Sequence, residues 1–448
     1  MATPPGRGAV AIVRVSGPKA RAIAARVFVS NSVRMVPNAL PARHAVLGNI
    51  LAPDGARIDE ALALMFPSPH SYTGEDVVEF HVHGSPIIAR DTLTACLSAG
   101  ARLAEPGEFT RRAFEAGKLD LVQAEAVADL ISAEHSSAAR AAAGQLSGGL
   151  SREVDRCRSR LDALLERLAA AVDFPDEVDL PSREEAQAEI SGVRSALGIL
   201  ARSWEHGRLV REGANVVIVG SPNAGKSSLL NALLASDRAL VSEVAGTTRD
   251  TIEETLVLEK CVVRLIDTAG IRTEPDPLEA AGIARSEAAL AQARLALIVV
   301  DASRPLDEET REFLLRTRAR RRLLYYNKAD LGREAFDARE DEEREAVLGS
   351  VFDPEAISAV RCELQRSLLG DERPDLERPH LASARQADAV LEADRALTFA
   401  ERTLRNEDPL DLLVGDLLNA SASLRSVGGR DASEALLTGI FARFCLGK

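Results

Sequence analysis

Short apolar runs separated by turn residues occupy the start of the chain, a pattern typical of strands alternating with short helices. Four runs predict strands and two longer amphipathic stretches predict helices. The predicted strands cover residues 10–15, 44–51, 58–66 and 77–83, and the predicted helices cover 18–28 and 86–98. Together these elements predict a compact α+β domain over residues 1–117.

The pattern becomes helical and alanine-rich from Leu119 onward. Leu161, Leu164 and Leu168 recur at helical spacing and define one continuous apolar face. A further helix is predicted over 182–204, and the sequence is helical again from Leu381 to the end. Two helical blocks are therefore expected, at residues 118–207 and 371–448.

Near-continuous apolar runs lie between these two helical blocks, at 216–219, 262–266, 296–300 and 323–326. Runs of this kind are expected for parallel strands that are buried on both faces. The simplest arrangement is an α/β domain over residues 208–370 that is inserted into a helical domain.

Composition limits the function classes. The net charge of −13 argues against a general nucleic-acid coat, although a local basic patch remains compatible with it. The five cysteines are far apart and suit neither a disulfide framework nor a zinc site. Because no transmembrane-length apolar run and no signal-peptide core is seen, we interpret the chain as cytosolic, with no membrane partner.

A phosphate-binding loop is predicted at Gly220-Ser221-Pro222-Asn223-Ala224-Gly225-Lys226-Ser227, which fits G-x-x-x-x-G-K-[ST] between a strand and a helix. Backbone N–H groups and the helix dipole favour phosphate at such a turn. Lys226 can supply charge to the β- and γ-phosphates, and the Ser227 hydroxyl can bind Mg²⁺.

Three further segments have the order expected of a guanine-nucleotide site. Asp267-Thr268-Ala269-Gly270 ends a strand, and the Asp330 carboxylate of Asn327-Lys328-Ala329-Asp330 can accept hydrogen bonds that guanine donates and adenine does not. Ser358-Ala359, after the short run 356–357, is expected to contact guanine O6 through the backbone. Thr248, in the polar segment 246–250, is the candidate second Mg²⁺ ligand. Ile271 stands where many small GTPases place a water-orienting Gln, so another group must orient the water.

Two other groups of residues leave alternatives open. Glu79, His81 and His83 alternate on one strand face, and a polar pocket is favoured over a metal site. Arg316, Arg318 and Arg320–Arg322 are interpreted as a solvated helix end rather than a nucleic-acid patch.

With these residues in place, the whole chain resembles the tRNA uridine-modifying GTPase family known as MnmE or TrmE. The most specific segments, besides the GTPase motifs, are Ala2-Thr3-Pro4-Pro5-Gly6-Arg7-Gly8, Tyr72-Thr73-Gly74-Glu75-Asp76, Pro106-Gly107-Glu108-Phe109-Thr110, Lys118-Leu119-Asp120, Asp173-Phe174-Pro175-Asp176-Glu177 and Phe444-Cys445-Leu446-Gly447-Lys448. The resemblance implies a Ras-like P-loop G domain inserted into a helical domain, preceded by a folate-binding, dimerising α+β domain.

The resemblance also implies a function, cofactors and partners. A homodimer would work with an FAD-containing MnmG or GidA partner as a heterotetramer and add an aminomethyl or carboxymethylaminomethyl group to C5 of the wobble uridine of tRNA. The one-carbon unit would come from 5-formyl- or 5,10-methylene-tetrahydrofolate, held by Arg14, Glu79, Lys118 and Lys448. Cys445 would be the functional cysteine.

Hydrolysis in this family depends on K⁺, which supplies the charge that an arginine finger would otherwise bring. The implied K⁺ ligands are Asn223, Ser242, Val244 and Thr247, and Glu279 would orient the water network. The full set of expected guanine-nucleotide contacts is Asn223, Ala224, Gly225, Lys226, Ser227, Ser228, Ser242, Glu243, Val244, Ala245, Gly246, Thr247, Thr248, Asp267, Thr268, Ala269, Gly270, Asn327, Lys328, Ala329, Asp330, Ser358, Ala359 and Val360.

Two other functions remain open. A regulatory GTPase of ribosome assembly would have the same G domain and no one-carbon chemistry. A folate-binding protein with a vestigial G domain is disfavoured because phosphate, metal and guanine elements are all present.

Overall fold

The computed structural model describes residues 1–31, 40–174, 176–177, 179–235, 253–267, 293–306, 308–317, 321–337, 346–370, 378–429 and 431–444. The chain divides into two compact units. The first unit comprises residues 1–131, 145–197 and 388–448, and the second comprises 132–144 and 198–387.

The described strands and helices are numbered separately in chain order. The strands are β1 (Val10–Ser16), β2 (Phe28–Ser30), β3 (Val46–Leu51), β4 (Arg57–Phe66), β5 (Val77–His83), β6 (Ala214–Val219), β7 (Glu253–Val257), β8 (Val262–Asp267), β9 (Leu295–Asp301), β10 (Arg322–Asn327) and β11 (Ala346–Leu348). The described helices are α1 (Ala20–Val27), α2 (Pro86–Ser98), α3 (Glu108–Glu115), α4 (Leu121–Ser132), α5 (Ser136–Leu146), α6 (Gly149–Asp173), α7 (Arg183–Glu212), α8 (Lys226–Ala235), α9 (Glu308–Thr317), α10 (Glu334–Asp337), α11 (Pro354–Leu369), α12 (Ala384–Asn406), α13 (Leu410–Val427) and α14 (Glu434–Phe441).

An antiparallel five-stranded sheet with the order β1-β5-β4-β3-β2 forms the start of the first unit. Its strands alternate buried and exposed positions, so one face packs against α1 and α2 around Phe80 and Ile50. The other face carries Arg14 and Glu79, which are directly paired across β1 and β5. The register therefore places two predicted folate residues side by side.

The helices of the first unit include elements from both ends of the chain. Leu121 of α4 lies in one apolar cluster with Phe441 and Phe444 of the C-terminal segment. Arg194 of α7 donates hydrogen bonds to Asp394 and Glu401 of α12 at 3.0 and 2.6 Å. The two separated helical blocks of the sequence thus pack together, as the sequence predicts.

A six-stranded sheet with the order β11-β10-β9-β6-β8-β7 forms the core of the second unit. Only β7 runs antiparallel to its neighbour among these strands. Val216 and Ile218 face one apolar cluster with α8 and α11, while Val217 and Val219 face another that includes α9. This double burial explains the uninterrupted apolar runs of the sequence. The described chain confirms the expected fold class.

Helix α7 extends beyond its predicted end near residue 204. Leu209 and Val210 are buried, so the helix continues to Glu212. Gly213 then adopts a φ of 74°, and its N–H bonds to the Leu209 carbonyl, as is common after the last helical residue. No helix among the described residues is long and apolar enough to cross a membrane.

Candidate functional site

The predicted phosphate loop connects β6 to α8, as its motif requires. Gly225 has a φ of 97° and Asn223 a φ of 63°, so the turn uses backbone conformations that favour glycine and asparagine. The Lys226 ammonium donates hydrogen bonds to the carbonyls of Gly220 and Ser221, each at 2.9 Å. It therefore lies against the loop that the motif assigns to phosphate. Ser227 and Ser228 follow in the first turn of α8.

Asn327, at the end of β10, joins two loops of the second unit. Its side chain is buried, its Nδ2 donates to the Ala224 carbonyl at 2.9 Å, and its Oδ1 accepts from the Val351 N–H at 3.2 Å. A Cβ added to Gly225 would lie 2.2 Å from Asn327 Nδ2. The glycine is therefore needed both for its φ and for this close approach. We call this arrangement the Asn327 latch.

Lys328 and Asp330 follow directly after the latch. Lys328 has a φ of 63°, and its Nζ lies 2.7 Å from Asp301 Oδ2 at the end of β9. Burial alone would raise the pKa of Asp301, but hydrogen bonds from Lys328 and Ser303 outweigh it and hold that pKa below its ordinary value. Asp301 is thus a fixed anion that immobilises Lys328, while Asp330 is exposed and accessible to a base.

The structure has the predicted base-contact residues Ser358, Ala359 and Val360 in a helix rather than in a loop. These residues lie inside helix α11, where backbone N–H groups bond to carbonyls four residues earlier. The strand that ends beside Asn327 is β11, and Gly349-Ser350-Val351 follow it. The Gly349 carbonyl accepts from the Ala329 N–H at 3.1 Å.

The missed loop had a local signal. Asp353 caps α11 by accepting from the Glu355 N–H at 2.9 Å, and Pro354 occupies the first helical position. Asp followed by Pro is a helix-start pattern. It would have placed Ser358 within a helix and left Ser350 and Val351 in the loop that follows β11. Phe352, the next residue, is 88% exposed.

Several predicted positions lie outside the described residues. These are Ser242, Glu243, Val244, Ala245, Gly246, Thr247, Thr248, Thr268, Ala269, Gly270, Glu279, Cys445 and Lys448, together with Ile271. Asp267 ends β8, as expected. Of the predicted site, the described residues include the phosphate loop and the guanine segment, which are joined by the hydrogen bond from Asn327 to the Ala224 carbonyl.

A second group of predicted residues meets on the open face of the five-stranded sheet. Arg14 Nε donates to Glu79 Oε1 at 2.8 Å, and His81 Nε2 lies 3.1 Å from Glu79 Oε2. The Arg14 guanidinium lies 5.9 Å from the Tyr72 ring centroid and 5.7 Å from that of Phe109. This arrangement is a polar cluster flanked by two aromatic rings.

Lys118 lies beside the loop that carries Tyr72. A Cβ added to Gly74, which has a φ of 79°, would lie 3.7 Å from Lys118 Cε. Arg14 and Lys118, which are far apart in sequence, therefore both lie beside this loop, and Glu79 is bound to Arg14. Glu75 holds this loop, because its carboxylate accepts hydrogen bonds from Ser16 at 2.9 Å and from Arg112 at 2.7 Å.

The favoured interpretation of the Glu79 strand face is a pocket rather than a metal site. His83 Nδ1 lies 2.8 Å from Asp59 Oδ1, so this histidine is directed to a different carboxylate from the one beside His81. Among the described residues, no group of three or more His, Cys, Asp or Glu side chains is arranged to hold a metal ion.

Comparisons with known proteins cover the whole chain. Residues 1–118 match the model of the GTP-binding protein TrmE N-terminus, and residues 121–445 match the model of the MnmE helical domain. The tRNA modification GTPase MnmE of Chloroflexus aurantiacus is 42% identical over 465 residues, covering all of this chain and 98% of the relative. That of Symbiobacterium thermophilum is 43% identical over 455 residues, with the same coverage.

Two solved structures match part of this chain. The G domain of the T. maritima FeoB iron transporter is 22% identical, covering 34% of this chain and 98% of that structure with a TM-score of 0.25. Aquifex aeolicus Era bound to GDP and AlF₄⁻ is 24% identical, covering 42% of this chain and 67% of that structure with a TM-score of 0.27.

Both family models agree with the order of the chain, and together they span the first unit and the inserted GTP-binding segment. The phosphate loop and the Asn327 latch are the parts of the predicted guanine-nucleotide site that hydrogen bonds join among the described residues, and Asp330 follows the latch by three positions. The chain belongs to the MnmE (TrmE) family of tRNA modification GTPases.

Proposed function

We propose that this chain is a K⁺-stimulated GTPase that, as a homodimer with an FAD-containing partner, modifies C5 of the wobble uridine of tRNA. The modifying group is of the aminomethyl or carboxymethylaminomethyl type. The observation that carries the proposal is the Arg14–Glu79 pair beside Tyr72, with Lys118 at the adjoining loop. These residues would form the wall of a ligand pocket in a chain that also has the motifs of a GTP site. A regulatory ribosome-assembly GTPase does not require such a pocket.

The pocket fits a tetrahydrofolate, which would supply the one-carbon unit. A folate has a polar pterin ring and an anionic glutamate tail. Glu79 can accept hydrogen bonds from the pterin N–H groups, while Lys118 can balance the tail. Tyr72 and Phe109 offer ring faces beside Arg14. These residues would bind and orient the folate, with Lys448 as a further predicted contact.

Packing inside the first unit supports a role for the C-terminal motif near this pocket. A Cβ added to Gly107 would lie 2.7 Å from the Phe441 carbonyl, and Phe114 and Phe441 have ring centroids 6.4 Å apart. Phe109, on the same helix α3, lies beside Arg14. Phe444 is buried and packs against Phe441. The chain thus reaches the residue before Cys445 while still packed against this helix.

Cys445 is the cysteine we assign to the modification chemistry, and it gives the test of the proposed function. Burial raises the pKa of the Cys96 thiol to about 12 and that of the Cys157 and Cys261 thiols to about 11, so these three are poor nucleophiles at neutral pH. In a deletion strain that carries Cys445→Ser, we expect the wobble modification to be absent from tRNA nucleosides, while purified Cys445→Ser hydrolyses GTP at the wild-type rate. Mass spectrometry of the nucleosides provides the measurement.

Cys362→Ser is the matched control, because Cys362 is exposed on α11 and has no assigned role. It should leave the modification at the wild-type level. Normal modification in Cys445→Ser would contradict a chemical role for the tail. Absence of any change in wobble uridine on deletion of the whole gene would contradict the proposed function itself.

GTP hydrolysis is assigned to Lys226, Ser227 and Glu279. Lys226 and the α8 N-terminus would neutralise charge on the phosphates, Ser227 would bind Mg²⁺ with Thr248, and Glu279 would orient water. Potassium, held by Asn223 with Ser242, Val244 and Thr247, would supply positive charge at the transferring phosphoryl group. The left-handed backbone of Asn223 is the described feature that agrees with this role.

Potassium dependence gives a separate prediction. We expect GTP hydrolysis in KCl to exceed that in NaCl at equal ionic strength by about tenfold or more, because loss of one preorganised charge in a phosphoryl-transfer site typically costs several kcal/mol. Asn223→Ala should reduce the rate in KCl toward the rate in NaCl. A phosphate-release assay measures both, and equal wild-type rates in the two salts would contradict the assignment.

A further inference from the structure

Helix α12 has one face that the fold leaves uncovered. Val390, Ala393, Leu397 and Ala400 are fully buried on the opposite side. At one edge, Asp394 and Glu401 accept hydrogen bonds from Arg194 of α7. The uncovered face carries Arg395, Phe399, Arg402 and Arg405, and we call it the α12 basic face.

Phe399 stands between two arginines on this face. Its side chain is 57% exposed. Arg395 precedes it by four positions and Arg402 follows it by three, so all three share one side of the helix. An isolated exposed aromatic is common on protein surfaces. An aromatic flanked by guanidinium groups is a more specific arrangement, because it can stack on a base while the guanidiniums bind phosphate.

The arginines of the α12 basic face differ in pairing from other arginines of the first unit. On α6, Arg156 pairs with Glu153, Arg160 with Glu189 and Arg167 with Glu185, each within 2.8 Å, and on α7 Arg183 pairs with Glu407. Arg395, Arg402 and Arg405 are exposed and make no ion pair within the described part of the chain. Within the described residues, no carboxylate is therefore paired with them.

Interaction of the arginines with the helix dipole explains only part of the α12 basic face. Cations near a helix C-terminus interact favourably with its dipole, which suits Arg402 and Arg405 just before the end at Asn406. Arg395 lies about three turns earlier, beyond the reach of that effect. Asp388 and Glu392 are exposed in the N-terminal part of the same helix, so the unneutralised positive charge is confined to the C-terminal half.

The overall charge determines what this face can bind. The chain has a net charge of −13, so a polyanion is repelled except where cations are not matched by nearby carboxylates. Arg395 to Arg405 extends over about 15 Å of helix, enough to contact successive phosphates. We infer that the α12 basic face is a docking surface for tRNA, in which Arg395 and Arg402 bind the sugar-phosphate backbone and Phe399 packs against an unpaired base. This inference rests on the proposed function only in taking tRNA as the substrate.

The test compares two double substitutions with equal charge change in the full-length chain. Arg395→Gln/Arg402→Gln removes unpaired arginines of the α12 basic face. Arg156→Gln/Arg167→Gln removes paired arginines of α6. The affinity for unmodified tRNA is measured by fluorescence anisotropy across a KCl series. For the α12 pair we expect about tenfold weaker binding and a slope of log K against log salt that is shallower by about two units. The α6 pair should behave like the wild type.

Phe399→Ala separates stacking from charge. It should weaken tRNA binding by about fivefold or more with an unchanged salt slope, because stacking does not release counterions. GTP hydrolysis without tRNA and the thermal unfolding curve should be unchanged in all variants, which excludes misfolding as the cause.

Two results would overturn the inference alone, and a third would also contradict the proposed substrate. Unchanged tRNA affinity and slope in the α12 pair would show that RNA does not dock there. Loss of association with the FAD-containing partner at unchanged tRNA affinity would make the face a protein-docking surface. Failure of the wild-type chain to bind tRNA at all, with GTP hydrolysis intact, would contradict both the docking surface and the proposed substrate.

Discussion

Replacing Asp330 by asparagine is expected to lower the affinity for GTP by about a thousandfold, near 4 kcal/mol. Asp330 is exposed beside the latched Asn327 and Lys328, where its carboxylate can accept from guanine N1–H and the 2-amino group. Asparagine presents an NH₂ group to one of these guanine donors. One hydrogen bond is therefore lost, and two hydrogen-bond donors face each other. Xanthosine triphosphate has an acceptor at that position and should bind the variant better than the wild type.

The measurement is a competition titration with a fluorescent guanine nucleotide. Glu334→Gln is the matched control, because it removes one exposed negative charge from the adjacent helix α10 without reaching the base. It should leave the affinities for GTP and xanthosine triphosphate unchanged. An Asp330→Asn variant with wild-type GTP affinity would show that another group reads the guanine edge.

Local sequence pattern was sufficient for the elements that bury one continuous apolar surface. Strand β5 has its predicted bounds, and helix α2 does too, because period-two and helical patterns directly report the buried face. The loop between β6 and α8 was predictable for a different reason. Its glycines and lysine serve one local geometry, so their spacing alone defines the turn.

Elements that depend on distant partners were not predictable in this way. The predicted helix over 18–28 ends at Val27, because Phe28 is buried and belongs to the edge strand β2, where it pairs with Ile50 of β3. Strand β11 has three residues, too few to show a period, and its place beside β10 depends on pairing with Tyr325. The base contact predicted after residues 356–357 consequently falls inside α11 rather than in the loop that follows β11.

The Asn327 latch is the clearest case of a feature that pattern alone does not reveal. Asn327 was predicted as part of a guanine motif, but its contacts are with the phosphate loop and with the loop after β11. Those partners are separated from it by 103 and 24 residues. A motif identifies the residue, but only the folded chain shows that its side chain connects the phosphate loop to the loop after β11.

Asn327→Ala is accordingly expected to weaken both the fold of the second unit and its nucleotide binding. The Asn327 side chain is 1% exposed, and its removal leaves the Ala224 carbonyl and the Val351 N–H without their partner. Loss of two buried hydrogen bonds should lower the free energy of unfolding by about 2–4 kcal/mol. Because the phosphate loop and the base loop would no longer be held in register, we expect GTP affinity to fall by about a hundredfold.

Asn327→Asp separates the hydrogen bonds from the space that the side chain fills. Aspartate is nearly isosteric and can still accept from Val351, but its second oxygen would face the Ala224 carbonyl, so the contact with the phosphate loop becomes repulsive. Thermal unfolding and GTP titration of Asn327→Asp, Asn327→Ala and the exposed control Asn406→Ala provide the comparison. The aspartate variant should lose GTP affinity at least as strongly as the alanine variant, although it leaves no cavity. If the alanine variant alone lost affinity, packing rather than the Ala224 hydrogen bond would hold the phosphate loop, and the latch would have to be abandoned as the coupling between the two loops.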